Sequence, residues 1–163
     1  MSDLRLIFGR PKIREKEAFL AALREAAAAT GCLIQAMDAS YLVSESHAAL
    51  AAEKALLAFA EERNVAKDLG LEILRYASGK RQIERALCLG VSEVTGRVAL
   101  VVVENGTPLD ASDIIEVDGD GPCWSRAAVR EAFEIGDAEI EAVGEERIPD
   151  LVLERVALLD AYR

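Results

Sequence analysis

Apolar positions along the chain change period several times, and each change marks an element. Leu4–Phe8 is a short apolar run closed by Gly9 and Pro11, which predicts a strand. From Arg14 to Ala29 the period is helical, with Phe19, Leu20, Leu23 and Ala27 on one face and Gly31 as a stop. Cys32–Met37 predicts a second strand. Ser44 or Ser46 is placed to cap an alanine-rich helix running to about Arg63, with Leu50, Leu56, Leu57 and Phe59 expected to face inward.

Further on, Leu71–Ala77 (LEILRYA) is β-like and ends at Ser78-Gly79. Gln82–Leu89 predicts a short helix stopped by Gly90. Val98–Val103 is apolar on both faces, which suits a central strand covered by helices on either side. Residues 111–147 read as shorter helical pieces broken at Gly119-Asp120-Gly121-Pro122 and at Gly136, and a last helix opens with Pro149 in its first turn. These elements predict an α+β fold: a single domain over 1–163, a central mixed β-sheet packed by helices, and a C-terminal helix.

That last helix carries two apolar stripes. Leu151, Leu158 and Tyr162 form one, Val152, Val156 and Leu159 the other, and Leu153 lies away from the first. So wide an apolar surface either threads deep into the domain's own core or meets another protein.

Composition adds an ordinary globular profile, with 52% apolar and 29% charged residues. No apolar run approaches about 18 residues and no charged leader precedes one, so a cytoplasmic protein with no membrane partner is expected. The net charge of −10 is unevenly spread. Residues 1–97 carry a net of +1 and residues 98–163 a net of −11. Within 63–85, Arg63, Lys67, Arg75, Lys80, Arg81 and Arg85 outnumber Asp68, Glu72 and Glu84. Such a patch is either a solvated mixed face or a contact for phosphate.

Catalytic patterns fail on inspection. Gly79-Lys80 lacks both the earlier glycine, where Leu74 stands, and the following Ser or Thr, where Arg81 stands, so it is no phosphate loop. Glu116-x-Asp118-x-Asp120-Gly121 opens like a calcium loop, but Ala127 occupies the position of the bidentate acid, and a tight acidic turn is expected. Cys32, Cys88 and Cys123 are scattered, with no metal spacing, and are expected to be buried thiols. His47 is the only histidine; as a base it would need Cys88 or Ser78 beside it, and otherwise it is a packing group. No catalytic residue, metal site or cofactor is expected.

One stretch carries a resemblance. Leu71-Glu72-Ile73-Leu74-Arg75-Tyr76-Ala77-Ser78-Gly79-Lys80-Arg81-Gln82-Ile83 resembles the small regulatory subunit of the KEOPS tRNA-modification complex, in animals the PRPK-binding protein family. Ile34–Ala39, His47 in its alanine-rich helix, and Leu153–Leu159 fit the same pattern; residues 104–147 resemble it only loosely. The resemblance implies a non-catalytic subunit that binds and stimulates the KEOPS kinase/ATPase subunit, largely through the terminal helix. Leu151, Val152, Arg155, Val156 and Leu159 are then the expected kinase interface. It also implies that the protein holds the tRNA 3′ end for threonylcarbamoyladenosine formation by another subunit. Arg75, Ser78, Gly79, Lys80, Arg81 and Gln82 are the expected tRNA-binding residues, since cationic side chains beside a Ser-Gly turn suit a single-stranded RNA end. A protein-binding scaffold without RNA binding, or an enzyme using His47 with Cys88 or Ser78, are the competing classes.

Overall fold

A computed structural model describes residues 3–162, the side chain of Tyr162 excepted. The chain runs β1 (Asp3–Pro11), α1 (Lys16–Thr30), β2 (Leu33–Asp38), α2 (Glu45–Ala60), α3 (Leu69–Ser78), α4 (Ile83–Ala86), β3 (Val98–Glu104), β4 (Ile115–Val117), α5 (Arg126–Ala132), α6 (Asp137–Val143) and α7 (Ile148–Leu158). The fold is α+β with a C-terminal helix, as expected.

The strands form one sheet in the order β2-β3-β1-β4. β1 pairs with β3 from Asp3↔Glu104 to Gly9↔Val98, and β2 pairs with β3 from Leu33↔Val103 to Asp38↔Val98. Every described pairing is antiparallel, which corrects the expectation of a mixed sheet. β1 and β2 do run parallel, as a strand–helix–strand unit should. β3 lies between them, so no parallel ladder forms.

β3 is the central strand its pattern predicts, buried from Val98 to Val103. Val98, Leu100 and Val102 face Phe19 and Leu23 of α1. Ala99 and Val101 face the opposite layer, where α2 and α3 pack together with α5 and α7 around them.

Three expectations change at this level. Leu71–Ala77 is not a strand but the body of α3. Asp68 caps it, its carboxylate accepting from the Leu71 amide at 2.8 Å, and Gly79 closes it in the left-handed region at φ 66°. The α3 interior is buried on most sides, between β2, α2 and α7, so its helical polar face is not visible in the pattern. In α2, Ser44 is the cap, accepting from the His47 amide at 3.1 Å. The inward residues are Ala48, Ala51, Ala52, Ala55 and Ala58, whereas Leu57 is exposed and Leu50, Leu56 and Phe59 are half-buried. Small side chains let α2 and α3 approach closely, so alanine rather than leucine forms the contact. Among the cysteines only Cys32 is buried; Cys88 and Cys123 are exposed free thiols.

The acidic turn is confirmed. Arg97 closes it, reaching Asp118 through two nitrogens, at 2.5 and 3.2 Å, and the carbonyls of Gly121 and Pro122.

Candidate functional site

The centre of the site is the turn after α3. Ser78 is buried; its hydroxyl donates to the Arg75 carbonyl at 2.8 Å and accepts from the Lys80 amide at 3.0 Å. The Gly79 amide returns to Tyr76 O, and a Cβ on Gly79 would sit 3.3 Å from the Cβ of Arg155. Glycine thus meets two demands here, a positive φ and the close pass of α7.

His47 fixes the turn from below. Its Nδ1 accepts from the Val43 amide at 3.2 Å, which leaves the proton on Nε2, 2.7 Å from the Ala77 carbonyl it donates to. Burial lowers its pKa from 6.5 to about 4, only partly opposed by the Ala77 bond, so the ring is neutral. With both nitrogens bonded to backbone, His47 acts as the packing group foreseen as the plainer reading. The Ser78 hydroxyl is committed elsewhere, and the Cys88 thiol, exposed on one side but backed by protein on the other, is pushed up by partial desolvation although Lys80 and Arg85 pull it down. An acid–base pair of His47 with Ser78 or Cys88 does not form in this geometry.

Beside the turn lies an open cleft of about 640 Å³. One wall is residues 78–82 with Arg85; the other is Glu154, Arg155, Leu158 and Leu159 at the end of α7, and Phe133, Glu134 and Glu139 close the rim. Lys80 and Arg85 converge on the Glu134 carboxylate, at 3.5 and 3.3 Å. Arg155 is held by Glu139 at 2.8 Å and donates to the Phe133 carbonyl. The cleft therefore brings together the turn and the terminal helix, the two regions singled out in the sequence.

Several expected contact residues are moved by this geometry. Arg75 is buried, bonded to Glu72 at 2.7 Å and stacked over the Tyr76 ring at 4.8 Å, and so faces the core instead of a ligand. Ser78 shapes the turn from inside. Lys80, Arg81 and Gln82 do border the cleft. On α7, Leu151, Val152, Val156 and Leu159 are core residues, so they do not form an open interface. The Val152–Val156–Leu159 stripe is the one that threads inward. Outward are Glu154, Ala157 and Leu158, the last 38% exposed. The other stripe is divided, with Leu151 buried and Leu158 outward, and the side chain of its third member, Tyr162, lies outside the described residues.

Sequence reasoning missed Phe133, Glu134 and Glu139, which come from a stretch with no pattern linking it to the turn. Arg85 was visible as part of the basic cluster. Among the described residues no group of three or more His, Cys, Asp or Glu could hold a metal, and no helix is long and apolar enough to cross a membrane.

Comparison with curated proteins finds no match. Comparison with family models finds one, described as kinase binding protein CGI-121, over residues 13–160. That span contains α1 through α7, the turn and both walls of the cleft. The chain belongs to the kinase binding protein CGI-121 family.

Proposed function

We propose that the chain, acting as one domain over 1–163 in the cytoplasm, is the non-catalytic regulatory subunit of a KEOPS-type complex. It binds and stimulates the complex's kinase/ATPase subunit and holds the tRNA 3′ end, supporting threonylcarbamoyladenosine modification. The observation that carries this reading is the cleft. In a member of a kinase-binding family, a basic turn and the outer face of the terminal helix border one open groove. Lys80, Arg81 and Gln82 are the residues for the RNA end, with Arg85 added and Arg75 and Ser78 reassigned as supports. The kinase meets α7 through Glu154, Ala157 and Leu158, with the buried Leu151, Val152, Val156 and Leu159 holding that face in place.

The test uses two variants of the full chain. Leu158→Arg should abolish capture of the kinase while leaving the circular dichroism spectrum and tRNA binding unchanged. Lys80→Glu with Arg81→Glu should do the opposite, weakening tRNA binding by more than about tenfold and most at low salt. A Leu158→Arg protein that still binds the kinase would move the interface elsewhere. A scaffold that binds the kinase and no RNA is favoured by Glu134, Glu139 and Glu154 in the same cleft. It is the reading to adopt if the parent chain leaves tRNA unbound.

A further inference from the structure

Glu134 occupies an unusual position. It follows α5 with φ 54°, one of three described non-glycine residues in the left-handed region. Its amide returns to the Glu131 carbonyl at 3.3 Å and the next amide, of Ile135, reaches back to Arg130 O at 2.9 Å. This is the pattern in which a helix normally ends on glycine, because an L-residue is strained there. Glu62 ends α2 in the same pattern, at φ 56°, so the backbone alone does not single out Glu134; what distinguishes it is the cleft its side chain lines.

The Glu134 carboxylate lies between two cations of the proposed RNA site. Lys80 Nζ is 3.5 Å away and an Arg85 nitrogen 3.3 Å. Both distances exceed the 2.7 Å of the buried Arg75–Glu72 bond. Charge-assisted contacts of good geometry fall near 2.7–2.9 Å, so these two are loose. The partners also differ in exposure. The Lys80 side chain is only 12% exposed, so its packed stem fixes where the ammonium sits at the cleft, whereas the Glu134 side chain is 70% exposed. A fixed cation keeps its place when its partner leaves, and an exposed carboxylate is cheap to displace.

We propose that Glu134 is an internal stand-in for a phosphate: its carboxylate occupies the Lys80–Arg85 pair in the unliganded chain and is displaced by an RNA backbone phosphate. The inference rests on the RNA-binding reading above and names a regulatory residue for that same site. The consequence is discrimination. A ligand must supply a better anion than Glu134 to enter, so weakly anionic or incidental ligands are kept out while a phosphodiester at the end of a strand is admitted.

The experiment measures binding of full-length protein to tRNA and to an eight-nucleotide single-stranded RNA across a salt series. Glu134→Gln should tighten binding about three- to tenfold at low salt, with the gain shrinking as salt rises. Glu154→Gln removes the same charge from the same cleft with no ion pair to Lys80 or Arg85 among those the structure shows; its gain should be less than half as large. In a Lys80→Ala, Arg85→Ala background Glu134→Gln should gain little, since both paired cations are gone. Glu134→Gly should also tighten binding, and should raise the melting temperature by relieving the left-handed strain. Equal gains from Glu134→Gln and Glu154→Gln would overturn the proposal, because the general field would then explain both. So would binding by Glu134→Gln no tighter than by the parent; if the parent binds well in that case, the RNA site stands and only the stand-in role falls. Failure of parent and variant alike to bind either RNA would remove both readings together.

Discussion

Glu72 with Arg75 and Glu134 with Arg85 are ion pairs of the same chemistry, placed in opposite surroundings. The first is fully enclosed, 0% and 4% exposed, at 2.7 Å. Glu72 also accepts the amides of Val65 and Ala66, at 2.9 and 3.2 Å, and so holds the approach to α3 as well. Burial works against its ionised form, but the Arg75 bond and the two amides outweigh it and hold its pKa below the ordinary value. The second pair is open, with Glu134 70% and Arg85 56% exposed, at 3.3 Å. The two arginines are ten residues apart in a stretch that reads as one basic cluster, yet one charge is structural and the other is available to a ligand. Charge counts mark a region; burial and partners decide which charge in it can act.

The largest effect should come from breaking the inner side of this division. Val156 is fully buried on α7 among core residues. Val156→Arg places an unpaired charge there and should cost more than about 4 kcal/mol, leaving the chain unfolded by circular dichroism. If Val156→Arg folds normally, α7 does not pack as described. Next in size is Glu72→Ala, which strands Arg75 in the core and leaves the buried Ala66 amide and the part-buried Val65 amide without their acceptor. Removing one partner of a buried pair costs about 3 to 5 kcal/mol, to be read from the urea midpoint.

How far the sequence reveals this arrangement differs by element. β1, β2 and α1 are legible from their periods, and β3 from the opposite, an apolar run on both faces from Val98 to Val103 that only a central strand would bury. α3 is not: over seven residues LEILRYA alternates enough to read as a strand, and its two charged residues pair with each other in the interior instead of marking an outer face. α2 is apolar nearly all round, so its period cannot say whether leucine or alanine points inward. In α7 both stripes are visible, but only packing against α2 and α3 selects Val152, Val156 and Leu159 for the core. The turn at 78–82 stands out because its residues are contiguous. Glu134 does not, since the fold alone carries it across some fifty residues to meet Lys80.

His47 sharpens the contrast by pH. Its folded pKa is about 4 and its unfolded value 6.5, so between those values the unfolded chain takes up a proton that the folded chain refuses. Stability is therefore complete above pH 6.5 and falls as pH drops toward 4, by about 3 kcal/mol in all. Glu72 and Asp160 have lowered folded pKa values, and their contribution is present above the ordinary carboxylate range and lost only below it. For Asp160, too, burial pushes the other way and is overcome, here by bonds from Tyr76 and Lys54. Two separate windows should appear in stability against pH. An imidazole signal from His47 that titrates near 6.5 in the folded protein would contradict the upper one.

The smallest effect belongs to the open pair. Arg85→Ala removes one contact to Glu134 between two side chains that are both more than half exposed. Water and salt screen such a pair, and holding two long side chains together costs rotamer freedom, so exposed pairs contribute between nothing and about 1 kcal/mol. Lys80 stays on the other side of Glu134, and α4 keeps its buried residue, Ala86. Arg85→Ala should therefore change the unfolding free energy by less than about 0.5 kcal/mol, close to the error of a denaturant titration, while under the RNA-binding proposal it should lower affinity for single-stranded RNA. A stability loss approaching that of Glu72→Ala would mean that Arg85 is structural like Arg75, and the division between committed and available charge in this stretch would collapse.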